Sequence, residues 1–260
     1  MSNQYHEYFT FDGVKSCDYG VWISGEATFN APERDVEVVE IPGRNGTLTL
    51  DNGRWKNVEV VYPCYMSGDF LTGFDAFKNA ILTQSRPKLE AGIRLVDTYH
   101  PGTYRYARIK GGIKPATGPY NRSAKFDIAF DCWPQVFDST STQTYYTSGS
   151  TIAPPTGYDP TKFPANPLIF VRRVSGTGTV TITINSTTIT VANPAIYVDC
   201  ETMRAFHFYG GNQELPVYDD DALTLNSGKF PTLNSASNTI TFSTTSGTVQ
   251  VGITPRWWKL

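Results

Sequence analysis

The stretch Arg34–Met66, RDVEVVEIPGRNGTLTLDNGRWKNVEVVYPCYM, decides the fold class. Val36 and Val38 alternate with Glu37, and Val58 and Val60 alternate with Glu59. Successive side chains of a strand point to opposite faces, so this period of two predicts half-buried β-strands. Between them lie Pro42-Gly43, Asn45-Gly46 and Asn52-Gly53. Asn-Gly tolerates the positive φ that tight turns need, which makes it a strong hairpin signal. The stretch therefore predicts a meander, with Arg44, Arg54 and Lys56 carried outward on its loops and β-branched residues carried inward. Such a segment is a surface for other chains to pack on rather than an active site.

Outward from this stretch, the rest of the chain repeats its strand character. EYFTF and YGVWIS flank Asp12-Gly13 on the amino-terminal side. On the other side the period changes once: Phe70, Phe74, Phe77 and Ile81 fall at i, i+4, i+7 and i+11 and predict one helix over about residues 68–85. Ser67 or Asp69 is placed to cap it and Arg86-Pro87 to stop it. Strands resume at 93–96, 104–109 and 124–132, the last alternating Phe126, Ile128 and Phe130 with Lys125, Asp127 and Ala129. Residues 138–165 shift to Ser, Thr, Pro, Gly and Tyr. They are expected to link two domains, with Tyr145-Tyr146 and Ile152 as candidates for an edge strand. Beyond them some eight short apolar runs separated by turn residues predict an antiparallel sandwich. The expected division is a ring-forming β domain over 1–137, a linker or edge segment over 138–165 and a sandwich over 166–260.

Composition narrows the function classes. With 260 residues, 40% of them hydrophobic and 18% charged, the chain has enough apolar material for packed cores. There are 15 basic and 16 acidic residues up to Phe137, and 7 and 8 beyond it, so neither half carries the basic footprint of a nucleic-acid binder. Cys17, Cys64, Cys132 and Cys200 are scattered and form no CxxC, which favours buried thiols over a disulfide framework. Met1 is followed by polar SNQYHEY rather than a secretory leader, and no apolar run nears the ~20 residues of a membrane span. The expectation is a soluble chain made in the cytoplasm, without membrane insertion.

No motif for catalysis emerges. His6, His100 and His207 stand alone, without metal-ligand spacing. GxSxG, P-loop and dinucleotide fingerprints are missing. Asp219-Asp220-Asp221 lacks the alternating spacing of a calcium loop and reads as a solvated turn. Asp199 and Glu201 would share a strand face, but no partner acid accompanies them. No enzyme, no cofactor and no metal is expected. The terminal Pro255-Arg256-Trp257-Trp258-Lys259-Leu260 is read as closing the second sandwich, with a sugar-stacking platform of Trp257, Trp258 and Tyr209 as the alternative.

Several pieces occur together in order: F-x-F-D-G (Phe9–Gly13), Y-G-V-W-I (Tyr19–Ile23), V-E-x-x-E-I-P-G-R-N-G (Val36–Gly46) and K-F-D-I-A-F-D-C-W-P-Q (Lys125–Gln135). Y-V-D-C-E (Tyr197–Glu201), N-S-G-K-F-P-T-L (Asn226–Leu233) and the terminal P-R-W-W-K-L follow. The set resembles the distal tail (Dit) proteins of long-tailed, non-contractile bacteriophages, over nearly the whole chain. The resemblance implies a mainly β fold. Its first part is a β-barrel-like or split-barrel domain with a long hairpin and one helix, and its second a galectin-like, carbohydrate-module-like β-sandwich. It also implies a non-enzymatic virion protein of the tail tip or baseplate, a homohexameric ring through which DNA passes. The ring would join the tail tube to a tail-associated lysin or fibre hub protein. A receptor-binding protein or host saccharide would be further partners, and saccharide binding in host adsorption the alternative function. Pro42, Gly43, Arg44, Asn45 and Gly46 are then the residues expected at the contact with a neighbouring subunit.

Overall fold

The computed structural model describes residues 7–25, 30–67, 70–83, 92–192, 195–208 and 216–260. The chain divides into two compact units, Met1–Val136 with Leu260, and Phe137–Lys259.

The first unit contains ten strands and one long helix among the described residues. The strands are β1 (Phe9–Phe11), β2 (Val14–Lys15), β3 (Val21–Ile23), β4 (Arg34–Glu40), β5 (Thr47–Trp55) and β6 (Val58–Ser67). After helix α1 (Phe70–Leu82) come β7 (Ile93–Asp97), β8 (Thr103–Lys110), β9 (Ala116–Thr117) and β10 (Ser123–Cys132). Eight of the strands form a curled sheet ordered β2-β1-β7-β8-β10-β6-β3, with β9 on β10. β6 alternates strictly, with Val58, Val60, Tyr62, Cys64 and Met66 pointing into the core. The stripe Phe70, Phe74, Phe77 and Ile81 is the buried face of α1, as the spacing predicts. Its cap and stop residues Asp69, Arg86 and Pro87 lie outside the described residues. Phe9 stacks on Tyr62 at 5.4 Å, and Phe74 meets Phe126 edge-on at 5.3 Å, so helix and sheet meet through aromatic rings.

The structure departs from the expected meander in two ways. First, β4 and β5 pair only with each other, as a separate two-stranded sheet, so their valines do not face inward. Second, Asn52-Gly53 is no turn. Arg34 pairs with Trp55 and Val36 with Asp51, so residues 52–54 form a bulge inside β5. Gly53 supplies the φ of +74° that the bulge needs, and its N–H donates to Asp51 Oδ1 at 2.8 Å. The same left-handed preference that signals a hairpin turn serves a bulge equally well.

The second unit is a sandwich of two antiparallel sheets. One runs β12 (Thr144–Tyr146), β22 (Thr248–Thr254), β14 (Leu168–Ser175), β17 (Ile196–Asp199), β18 (Arg204–Phe208) and β19 (Pro216–Tyr218). The other runs β13 (Ser150–Ile152), β21 (Asn238–Thr244), β15 (Val180–Ile184), β16 (Thr187–Val191) and β20 (Leu223–Leu225). The remaining short strands are β11 (Val136–Asp138) and β23 (Trp258–Lys259). Residues 138–165, expected as a linker or edge segment, contribute an edge strand to each sheet through β12 and β13, at the Tyr145-Tyr146 and Ile152 positions named from the sequence. Short edge strands need few apolar residues, and here Tyr146 and Ile152 supply the packing. Inward residues such as Ile169, Val171, Ile182, Ile189, Val198, Ile240 and Ile253 fill the space between the sheets. Where β14 turns toward β15, Gly176 meets Gly247 backbone to backbone. A Cβ on Gly247 would come 2.0 Å from Ser175 O, so no larger residue fits there.

Phe77 is fully buried among Phe9, Tyr19, Phe74 and Phe126. Phe77→Ala is expected to cost roughly 3–5 kcal/mol of first-unit stability, read by denaturant unfolding. Leu71→Ala, at 61% exposure on the opposite helix face, should change it by less than about 0.5 kcal/mol.

Candidate functional site

The feature that stands out is the β4–β5 ribbon. Its strands are joined by residues 41–46, where the Arg44 N–H donates to Ile41 O at 3.1 Å. Pro42 and Gly43 occupy the two central positions of that turn, with Gly43 at φ +82°, the pattern of a type II turn. Gly46 follows at φ +85° and returns the chain to the Glu40–Thr47 pair. The five residues named from the sequence, Pro42, Gly43, Arg44, Asn45 and Gly46, therefore make up nearly the whole exposed tip.

Cross-strand register divides the ribbon into two faces. One carries the pairs Glu37–Leu50 and Val39–Leu48, the other Val36–Asp51, Val38–Thr49 and Glu40–Thr47. Val38 is 58% exposed and Leu50 45%, and Ile41 and Leu48 are also exposed. At the base, charge pairs fix the two strands. The Arg34 guanidinium forks onto the Asp51 carboxylate at 2.7–3.1 Å and lies 4.9 Å over the Trp55 ring. On the other face Arg54 meets Asp35 at 2.6 Å. Hydrogen bonding to these guanidiniums holds the carboxyls of Asp51 and Asp35 below the usual carboxylate range. The base of the ribbon is thus held by ion pairs, while its outer half presents aliphatic side chains to solvent.

Most of the other residues singled out from the sequence have structural roles among the described residues. Trp257 is 2% exposed in the core of the second unit, where a sugar could not reach its faces. Trp258 packs on Phe163 at 4.9 Å and its indole N–H donates to Pro164 O at 2.9 Å. Tyr209 lies outside the described residues, as does His6. Asp199 is held by Arg256 at 2.6 and 3.2 Å and also accepts the Glu201 N–H. Glu201 accepts from the Asn166 amide at 2.8 Å, so the two acids serve the fold of this corner. Asp220 pairs with Arg204 and accepts the Ala205 N–H, which makes the triple-aspartate run a structural turn. His100 Nδ1 sits 2.9 Å from Asp97, which also accepts from Tyr62 Oη. Burial, reinforced by Asp97, pushes the Tyr62 hydroxyl well above its ordinary value.

All four cysteines are free thiols. Burial pushes Cys64 and Cys132 up to about 12, far from the thiolate needed for reactivity. Among the described residues no three His, Cys, Asp or Glu side chains converge as metal ligands. No described helix is long and apolar enough to cross a membrane.

Two surface features escaped the sequence reading. On the outer face of the six-stranded sheet, Tyr145, Phe170, Tyr197, Phe206 and Tyr218 share one cross-strand row, with Gly252 between the first two. Phe170 stacks on Tyr197 at 4.5 Å and Tyr197 on Phe206 at 5.4 Å, so these rings stand on edge toward solvent. The second is the β9–β10 turn, where Tyr120 is 92% exposed with φ +56°. A bulky residue in the left-handed region is uncommon, and that signal resides in the backbone rather than the sequence.

No protein-family model and no curated protein matches the sequence. Solved structures do match, from end to end. The SPP1 Dit protein, described as a paradigm of the hub adsorption apparatus in phages infecting Gram-positive hosts, aligns with 14% identity and a TM-score of 0.60. The alignment covers 98% of this chain and 99% of that one. A chain of the phage P2 baseplate in its activated conformation with Ca aligns with 9% identity and a TM-score of 0.56, over 95% and 97% of the two chains. Its Sr form gives 8% identity and 0.53, with the same coverage. The chain therefore has the fold of the Dit protein.

Arg256→Ala would leave Asp199 without its cation in a site where both side chains are largely buried. It is expected to destabilise the second unit by roughly 3 kcal/mol in denaturant unfolding. Trp257→Ala should cost about 3–5 kcal/mol, the loss of a core aromatic.

Proposed function

We propose that this chain is a non-enzymatic structural hub of a phage tail tip. Six copies would form a ring, one face docked on the tail tube and the other holding the tail-associated protein that leads to the host. The observation that carries this is the end-to-end likeness to the SPP1 Dit protein, with 98% of this chain and 99% of that chain aligned. The β4–β5 ribbon supports it independently. A lone two-stranded ribbon is marginal in water, and this one exposes Val38, Ile41, Leu48 and Leu50. Packing against a neighbouring copy covers them, and a closed ring leaves none of the copies with an open contact. Residues 42–46 at the ribbon tip would lie at the subunit boundary. DNA passing through such a ring calls for no specific nucleic-acid contacts, in keeping with a near-neutral first half.

A saccharide-binding role for the second unit is the competing reading. What favours it is the half-exposed aromatic row of the outer sheet, with Arg204 lying 4.0 Å over Tyr218 at one end. What disfavours it is that the stacked rings turn their edges outward, whereas sugar rings pack on aromatic faces.

Light scattering of the purified chain across a concentration series is expected to give a mass six times that of one chain. The double substitution Val38→Asp/Leu50→Asp should reduce it to the monomer mass while far-UV circular dichroism stays unchanged. A ring that survives both charges would overturn the ribbon's part in assembly.

A further inference from the structure

The proposed ring needs a surface that receives the ribbon, and the first unit contains a concave one. At the far end of β6 lies a groove of about 370 Å³, lined by Tyr65, Met66, Ala116, Thr117, Ala124 and Lys125 among others. Its walls come from three strands in register: Tyr65 and Met66 pair with Lys125 and Ala124, which pair in turn with Ala116 and Thr117. Its lining is mostly apolar carbon, and the exposed Lys125 brings a positive charge to it. Gly118 and Ser123, the ends of the β9–β10 turn, also line it, so the exposed Tyr120 sits on the turn that borders the groove.

The chain's own ribbon does not fill this groove, since none of the lining residues belongs to β4, β5 or their turn. The ribbon enters the sheet at Val58, the opposite end of β6 from Ser67. Seven to nine steps of a strand at ~3.3 Å each put roughly 23–30 Å between that root and the groove.

Resting on the hub reading above, we infer that the groove between β6, β9 and β10 receives the aliphatic ribbon of a second copy, clasped by Tyr120. Three observations match the two surfaces. The ribbon is an exposed apolar projection, with Val38, Ile41, Leu48 and Leu50 outward, and the groove is an apolar recess. Glu37 and Glu40 are exposed beside those aliphatics, and Lys125 lines the groove, so the charges are complementary. Tyr120 is held at positive φ with its ring in solvent, a backbone cost that a contact made in the assembly explains. Exposed tyrosines are also a favoured anchor type at interfaces. A projection at one end of a strand and a recess at the other join copies head to tail, the arrangement that closes into rings.

The test uses the full chain and reads the concentration of half-assembly by sedimentation velocity and light scattering. Thr117→Trp fills the groove from an exposed position, and Lys125→Glu reverses its charge. Each is expected to raise the half-assembly concentration at least tenfold with circular dichroism unchanged, and Tyr120→Ala to raise it severalfold. Adding Glu37→Lys and Glu40→Lys to the Lys125→Glu chain should restore most of the lost assembly, which a misfolded variant could not do. If Leu50→Asp disperses the ring while Thr117→Trp and Lys125→Glu leave it intact, the ribbon docks elsewhere and the inference fails with the hub reading standing. If the unaltered chain is monomeric at every concentration, or Leu50→Asp changes nothing, the ribbon-built ring fails first and the groove with it.

Discussion

Ten consecutive residue pairs join β6 to β10, from Val58 opposite Cys132 to Ser67 opposite Ser123. That ladder is the spine of the first unit. Because side chains alternate along both strands, it fixes which residues of each look inward: Val60 with Phe130, Tyr62 with Ile128, Cys64 with Phe126. A slip of one residue would turn every one of them to solvent. Onto this inner face α1 lays its phenylalanines, and Phe9 and Phe11 of β1, reaching across the curled sheet, close the cluster around Phe130. The ribbon grows from one end of the spine and the groove opens at the other, so both candidate contact surfaces inherit their positions from a single register.

The second unit solves a different problem. Its sheets are rich in threonine and valine and carry few charges, and its edges are short. Threonine pairs across β15 and β16, Thr183 with Thr188 at 2.9 Å among them, occupy the face turned away from the core. Side chains with polar tips tie down the turns: Asn238 accepts from the Asn185 amide and donates to Ile152 O, and Asp138 accepts from both Thr140 and Ser141. The chain's last turn is secured by charge, with Arg256 held at φ +56° while its guanidinium grips Asp199. That grip places Trp257 in the core.

Much of this was legible in the sequence where one face of an element meets a core. The phenylalanine stripe of α1, the alternation of β6 and β10 and the apolar runs of the second unit all report burial directly. The resemblance through I-P-G-R-N-G and P-R-W-W pointed to the same fold as the structural matches. Val36 and Val38 misled, because alternation says that two faces differ and does not say that the apolar one is covered by its own chain. Asn52-Gly53 misled because a bulge and a turn make the same conformational demand. Within residues 138–165 the composition reads as a linker, because an edge strand of three residues leaves little mark on it, and only Tyr145-Tyr146 and Ile152 betray the two edge strands. The aromatic row escaped entirely: Tyr145, Phe170, Tyr197, Phe206 and Tyr218 become neighbours only through the pairing of strands far apart in the chain. The groove is hidden for the same reason, since it exists only once β9 lies on β10.

The burial of Trp257 sets an order on how the chain can mature. The second unit begins at Phe137, yet its core lacks a major side chain until residue 257 has been made. The first unit has its whole core, from Phe9 to Cys132, more than a hundred residues earlier. During synthesis it can therefore fold and bury its aromatics while the second unit still waits on its closing residue. A nascent chain released short of that point would carry a finished first unit followed by isoleucine- and valine-rich strands with an incomplete core, a ready target for cellular proteases. The Arg256–Asp199 clasp thus belongs to the closing step of the second unit's folding, which completes its core only once residues 256 and 257 have been made.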